Sequence, residues 1–197
     1  MSTDPQPTPG ADPRPLTTEP LPLDLVNTVW IDEGVRHDLL QYPGGVSIWL
    51  AAAGFAGTVP DTPETRDALL VTRAAIGRLL DEHGEHDDHE QAANGLNETL
   101  RHGRIQRLLG PEGPESVIDT DSPAWLAAWS AAEAYLRLLE EHPDRIRKCA
   151  NPECVLHFYD VSKNGGRRWC SMAGCGNRAK TQRHYTRHRK NTAPANP

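Results

Sequence analysis

Apolar residues between positions 21 and 103 recur mostly every three or four residues, which is the spacing of helices that bury one face. The pattern predicts four helices, over residues 21–30, 43–54, 62–84 and 88–103. Thr62 followed by Pro63 marks the third start most clearly, because the hydroxyl can cap the helix and proline favours its first position. The buried stripe of this helix is predicted to comprise Leu69, Ile76 and Leu80.

The next segment has a different pattern and predicts a β-hairpin. Two short apolar runs in residues 104–121 flank a Gly-Pro-Glu-Gly-Pro turn. Ser122 and Pro123 then begin the strongest helix of the chain, which Pro143 ends. Its predicted apolar stripe consists of Trp125, Leu126, Trp129, Ala132, Tyr135, Leu136 and Leu139. The predicted fold class is therefore mainly α with a small β-hairpin.

The composition divides the chain into four regions. Residues 1–20 contain six prolines and few apolar side chains, which predicts a disordered lead-in. Residues 21–143 carry enough apolar side chains for an α-rich domain with its own core. Pro143 marks the boundary to a small module over residues 144–190, which is predicted to end in a basic helix. Residues 191–197 predict a disordered tail.

The overall composition is that of a globular protein, with 37% hydrophobic and 24% charged residues in a chain of 197. No apolar stretch approaches the roughly 18 residues of a membrane span, and the amino terminus lacks the basic start and apolar run of a secretory signal. We therefore expect a cytoplasmic protein with no membrane partner. Structural disulfides are rare in that compartment.

The net charge of −6 conceals a strong asymmetry. Residues 145–190 contain twelve Lys or Arg residues and only two acidic ones, Glu153 and Asp160, for a charge of +10. The rest of the chain has 9 basic and 25 acidic residues, for a charge of −16. A strongly basic end on an acidic body indicates a polyanionic partner for that end.

The four cysteines lie in one stretch with the spacing Cys149-x4-Cys154-x15-Cys170-x4-Cys175. Two pairs separated by a hairpin-length loop are typical of a tetrahedral site in which four thiolates bind one structural Zn²⁺. A module of about 45 residues with so few large apolar side chains needs such a metal to fold. An iron–sulfur cluster, redox-active thiols and inert cysteines remain alternatives from the spacing alone.

The tetrapeptide Cys175-Gly176-Asn177-Arg178 and its surroundings, RKCANPECVLHFYD and RRWCSMAGCGNRAKTQRH, resemble the CGNR zinc finger of bacterial proteins. The upstream LPLDLVNTVW, the segment around Trp49 and the tryptophan-rich helix resemble the α-rich ABATE domain that accompanies this finger. The resemblance covers roughly residues 20–190. It implies zinc binding by the four cysteines and a role in transcription regulation, often in a stress response.

A helix from about Ser171 to Arg189 would be polar on all sides, with Arg and Lys suited to phosphate contacts. The candidate nucleic-acid-binding residues are Arg167, Arg168, Arg178, Lys180, Gln182, Arg183, Arg187, Arg189 and Lys190. Gln182 and Arg178 could also contact base edges. Asn177 and Arg178 are equally compatible with a structural role beside the metal. DNA is the preferred partner and RNA stays open, as do a protein partner, another polyanion and a merely solvated helix.

Two weaker patterns lie in the body. His83, His86 and His89 recur every three residues, which suits a metal site less well than a solvated loop. Asp24, Asn27 and Thr28 are polar residues in an apolar segment. They could line a small-molecule pocket, although capping and bridging of the local backbone is the preferred interpretation.

These observations predict a zinc-dependent, nucleic-acid-binding transcription regulator whose amino-terminal domain senses an effector or partner. The chain contains no nucleophile elbow, phosphate loop or dinucleotide fingerprint, so we expect no enzymatic activity. A zinc-finger module that binds only protein is the first alternative. An enzyme with a small-molecule pocket around Asp24 and Asn27 is the second. The oligomeric state is open.

Overall fold

The computed structural model describes residues 11–81 and 86–181. Helices occupy Leu21–Val26 (α1), Gly45–Ala52 (α2), Pro63–Leu79 (α3), His86–Arg101 (α4) and Leu126–Glu141 (α5). The strands are Val29–Asp32 (β1), Val35–Asp38 (β2), Gly103–Gly110 (β3), Gly113–Thr120 (β4), Ile146–Lys148 (β5) and His157–Tyr159 (β6). Consecutive strands pair as antiparallel hairpins. The predicted fold class, mainly α with small β elements, is confirmed.

The first predicted helix is shorter than the sequence pattern indicates. Helix α1 ends at Val26, and Val29 and Trp30 lie in β1 instead. Thr28 terminates the helix because its backbone N–H and its hydroxyl both donate to the Leu25 carbonyl. The chain then turns through Glu33 and Gly34, both at positive φ, which folds β2 back on β1.

The start of α2 explains a pair of glycines. Gly44 has a φ of 72°, in the left-handed region that favours glycine. A Cβ on Gly45 would lie 1.7 Å from the Leu39 carbonyl oxygen, so the helix can begin here only without a side chain. The helix then buries Trp49 and Leu50, as the spacing predicts.

Helix α3 begins as predicted and ends earlier than predicted. The Thr62 hydroxyl accepts a hydrogen bond from the Thr65 backbone N–H, and the helix ends at Leu79 rather than at residue 84, which lies outside the described residues. Leu69 and Ile76 are fully buried. Arg73, between them in sequence, makes two 2.7 Å hydrogen bonds to the Asp38 carboxylate, which ties α3 to the end of β2.

The buried face of α5 differs from the predicted stripe. Trp129, Ala132 and Tyr135 are buried as predicted, but Leu136 and Leu139 are more than a third exposed. The rest of the buried face consists of alanines, at positions 127, 128 and 131. Small side chains allow α1 and α3 to pack closely on this face, so the buried side of the helix follows the alanines rather than the leucines.

The carboxyl-terminal module packs directly on the helical body. Leu156 and Phe158 are buried in the same apolar cluster as Leu25 and Trp49. The Asn27 side chain donates to the His157 carbonyl over 2.8 Å and accepts from the His157 backbone N–H over 2.9 Å. These two bonds join residues 130 positions apart and fix β6 against the end of α1.

The segment before α1 is also packed, which differs from the predicted disorder for residues 11–20. The Arg14 guanidinium is fully buried and donates to the carboxylates of Asp12 and Asp24. The Glu19 carboxylate accepts hydrogen bonds from the Tyr159 backbone N–H and the Arg167 side chain. Ion pairs with the body and the module hold this proline-rich segment in place, where composition alone indicates disorder. Residues 1–10 and 182–197 lie outside the described residues.

Candidate metal centre

Four sulfur atoms lie close together in the carboxyl-terminal module. The Sγ atoms of Cys149, Cys154, Cys170 and Cys175 all lie within 4.8 Å of one another, and those of Cys154 and Cys170 are 3.9 Å apart. A tetrahedron of sulfurs about 2.3 Å from a zinc ion has edges of about 3.8 Å. The arrangement therefore fits one Zn²⁺ with four protein ligands and no open coordination position.

The cysteines come from two segments that the backbone ties together. Cys149 follows β5, and its backbone N–H donates to the Leu156 carbonyl. The Ala150 N–H donates to the Arg168 carbonyl and so joins the first cysteine pair to the second. The first pair lies in the loop of the β5–β6 hairpin, and the chain returns after β6 to bring the second pair beside it.

Donors around the sulfurs complete the site. The Asn151 side-chain amide donates to the Cys175 Sγ over 3.4 Å, and the Cys170 backbone N–H donates to the Cys149 Sγ over the same distance. Arg178 reaches the Cys175 Sγ at 3.9 Å. Such donors favour thiolates and fix their orientation toward a metal. The contact of Arg178 gives this residue of the CGNR sequence a structural role at the site.

The thiols compete for ionisation. Hydrogen bonds from Cys154 and Cys170 lower the pKa of Cys149, whereas the same contacts raise the pKa of Cys154 and Cys170. Closely spaced thiolates repel one another, so one ionises at the expense of its neighbours. Four thiolates at this spacing require a bound cation, and a divalent metal supplies that charge while it cross-links the two segments.

Cys175, the last of the four cysteines, lies on an unusual turn. Met172–Gly176 forms one turn of π-helix, and residues 177–181 continue as α-helix. The Ser171 hydroxyl caps this turn by accepting from the Gly174 N–H. A Cβ on Gly176 would lie 2.9 Å from the sulfur of Met172, so a side chain at this position of the CGNR sequence would displace the exposed Met172 side chain.

The predicted nucleic-acid-binding residues divide into three groups. Arg167 is occupied internally: it bonds Glu19 and the carbonyls of Tyr159, Trp169 and Cys170. The described residues Arg168, Arg178 and Lys180 are exposed beside the metal centre. The other five lie outside the described residues, namely Gln182, Arg183, Arg187, Arg189 and Lys190.

The predicted pocket residues of the body have partners within the protein. Asp24 accepts from Arg14 and from the Trp49 indole, and its burial raises its pKa. Asn27 bonds the His157 backbone, and Thr28 bonds the Leu25 carbonyl and Arg73. Of the three, Thr28 bonds the local backbone, whereas Asp24 and Asn27 bridge to partners more distant in sequence.

The histidine pattern of the body is only partly described. His83 lies outside the described residues, whereas His86 and His89 lie at the start of α4 rather than in a loop. Within the described ranges, the four cysteines are the one group of three or more His, Cys, Asp or Glu side chains close enough to share a metal.

Sequence reasoning missed three residues that position the module: Glu19, Asn27 as a link to β6, and Asn151. Each acts through a partner distant in sequence. Asn151 alone had a local indication, because it lies between the first two cysteines.

We expect about one zinc per chain, because four thiolates complete one tetrahedral site. Elemental analysis of protein purified without chelator measures this directly. Iron with visible absorption, or fewer than about 0.3 metal ions per chain, would contradict the zinc assignment.

Two family models match the chain. One, described as "Putative stress-induced transcription regulator" (ABATE), matches residues 19–142, and the other, described as CGNR zinc finger, matches residues 145–188. No curated protein matches the chain. The first match covers more than half of the sequence, and the second contains all four cysteines.

Proposed function

The chain belongs to the ABATE family and carries a CGNR zinc finger with one structural zinc site, and on that premise we propose that it is a transcription regulator that binds DNA through the finger. The observation that carries this proposal is the separation of charge between the two parts of the chain. Residues 145–190 carry +10, and the remainder carries −16. Such a dipole attracts a polyanion to one end and repels it from the other.

Of the two acidic residues in the finger, Glu153 is exposed, but Asp160 does little to reduce the surface charge. Asp160 is fully buried and accepts from the backbone N–H groups of Ser162 and Arg167. Bonding to Ser162, and then to the Arg167 N–H, lowers the pKa of Asp160. Its carboxylate therefore bonds the segment between the two cysteine pairs and does not face a ligand at the surface.

The exposed cations of the finger support contacts to phosphates. In the described part of the chain they are Arg147, Lys148, Lys163, Arg168, Arg178 and Lys180. Arg168 also stacks over the Trp169 ring, with its guanidinium carbon 5.4 Å from the ring centroid. Asn177 and Arg178 both bond back to the π-turn. We therefore assign affinity mainly to phosphate contacts and leave base contacts to Gln182.

The α-rich body of the chain has a separate role in the proposed function. We propose that its α-rich domain senses an effector or partner and that it has no catalytic activity. Within the described ranges, no helix has both the length and the apolar character needed to cross a membrane. The rigid link between Asn27 and His157 gives a change in the body a direct route to the finger.

The test is a salt titration of binding to a mixed-sequence DNA duplex. Each phosphate contact releases condensed counterions, so log affinity should fall against log salt with a slope of about −0.9 per contact. Three to five contacts give a slope of roughly −3 to −4.5 per bound chain. The same titration with an RNA duplex distinguishes the nucleic acids. Binding whose affinity does not change with salt, or no binding at 50 mM salt, would favour the protein-interaction alternative.

A further inference from the structure

A pocket of about 190 Å³ lies where the helical body meets the zinc finger. Its lining comes from both parts: the ends of α3 and α5 on one side and the β5–β6 hairpin on the other. The apolar wall is formed by Leu79, Leu80, Leu139, Pro143 and Ile146. Asp81, Tyr135, Lys148 and His157 supply the polar groups. No residue predicted from the sequence as a pocket residue is among them.

His157 is the unusual member of this lining. The residue is only 8% exposed, and neither ring nitrogen contacts solvent or makes a hydrogen bond of regular geometry, although the Val155 backbone lies close enough to influence the ring. Buried polar groups almost always have a partner, so an imidazole with two unmet nitrogens requires an explanation. Burial, and then the charge of Lys148, lowers the pKa of His157 to about 4, so near neutral pH the ring offers one N–H donor and one acceptor.

Lys148 lies directly beside His157. The two residues are cross-strand partners in the β5–β6 hairpin, so their side chains leave the same face of the sheet. Ile146, two residues before Lys148, shares that face and also lines the pocket. An ammonium group and an imidazole N–H at adjacent positions form a pair of donors that matches the two oxygens of one carboxylate.

We propose that this junction pocket binds a small carboxylic acid with an apolar body, whose carboxylate bonds Lys148 and His157 while its hydrocarbon part packs on the leucine wall. Because neither ring nitrogen faces the accessible space of the pocket, binding requires the imidazole to turn about its Cβ–Cγ bond and bring one nitrogen to the ligand. An apolar cavity of about 150 Å³ holds benzene, so 190 Å³ suits an acid of the size of benzoate or hexanoate.

A ligand at this position contacts the helical body and the finger at once. It therefore stabilises their contact, and it lies on the residue whose backbone is bonded by Asn27. Its action as the effector of a regulator rests on the proposed function, whereas its binding does not. The binding experiment contains no nucleic acid, so failure of DNA binding and failure of ligand binding are separate results.

The test is an NMR titration of the full-length, zinc-loaded protein, labelled with ¹⁵N at histidine, at constant ionic strength. Benzoate and hexanoate are the probes, and benzyl alcohol is the uncharged comparator. The His157 ring signals are identified by their loss in His157→Phe. We expect these signals to shift in a saturable way with benzoate, and benzyl alcohol to bind at least about tenfold more weakly because it lacks the carboxylate.

Three variants decide whether the site is the one described. Lys148→Met should weaken benzoate binding about tenfold and leave benzyl alcohol unchanged, because it removes the ammonium and keeps the apolar stem. Arg147→Met is the matched control, since Arg147 lies on the opposite face of the same strand, and it should change affinity less than about twofold. Leu139→Trp should fill the pocket and abolish binding of both compounds.

Two results would overturn the proposal. One is the absence of a saturable shift of the His157 signals with either acid at 20 mM, a concentration about twentyfold above a dissociation constant of about 1 mM. The other is equal weakening by Lys148→Met and Arg147→Met, which would indicate a general charge effect and no binding in the pocket.

Discussion

Replacement of Cys170 by serine is expected to release the zinc and unfold the finger, with the largest loss of stability of any single substitution in this chain. Structural zinc contributes an apparent binding free energy of about 10–16 kcal/mol in isolated zinc fingers, as much as or more than the stability of a typical domain. Three thiolates close together without the fourth also repel one another. Zinc content should fall below about 0.1 per chain in elemental analysis.

The same variant tests the proposed domain boundary at Pro143. Helices α1 to α5 all precede this residue, so most of the far-ultraviolet helical signal should persist. The thermal midpoint of the body should nevertheless fall by roughly 5–15 °C, because the unfolded finger withdraws Leu156 and Phe158 from the shared core.

Val161→Ser provides the matched control, since it also places serine in the finger but at a side chain that is 80% exposed. It should retain zinc and the wild-type midpoint. Complete loss of the helical signal in Cys170→Ser would contradict the boundary and show that body and finger fold as one unit.

Removal of the positive charges at the basic end is expected to weaken nucleic-acid binding strongly, which is the second largest effect predicted. The variant replaces Lys180, Arg183, Arg187, Arg189 and Lys190 by glutamine in the full-length chain. If these residues supply most phosphate contacts, affinity at 50 mM salt should fall by at least about 100-fold and the salt slope should approach zero. Zinc should remain bound, because every ligand precedes Lys180.

The control for net charge replaces five exposed arginines of the body, at positions 66, 78, 101, 104 and 107, by glutamine. It changes the net charge equally and should bind DNA no more tightly than the wild-type protein, with an unchanged slope. Equal loss in both variants would show that binding depends on total charge rather than on the finger. Retained binding in the first variant would remove the main support for DNA recognition by residues 179–190.

Local chemistry in the sequence predicted the elements that depend on near neighbours. The Thr62 cap, the β3–β4 hairpin and the end of α5 before Pro143 all occur as predicted. The first of these needs one hydroxyl three residues from an N–H, and the second needs only a turn between two apolar runs. The cysteine spacing likewise located the candidate metal site, because the four ligands lie within 27 consecutive residues.

Predictions failed where a distant partner decides the conformation. The apolar spacing continues helix α1 through Trp30, but Thr28 and the 33–34 turn redirect the chain into a hairpin that packs on α3 through Asp38 and Arg73. The buried face of α5 also differs from the predicted stripe because of its neighbours in space. Alanine counts little in an apolar pattern, yet it permits the closest helix contacts, so the buried face became clear only once the neighbouring helices were in place.

The sequence by itself thus determined the elements with local signals, the candidate zinc ligands and the division of charge, since each depends on residue identity and short spacing. Tertiary structure decided how the parts are joined. Glu19 and Asn27 find their partners only when segments 130 to 148 residues apart are adjacent. The pocket beside His157 likewise exists only because the body and the finger meet there. Its lining comes from two distant parts of the chain, so the residue pattern of either part alone could not predict it.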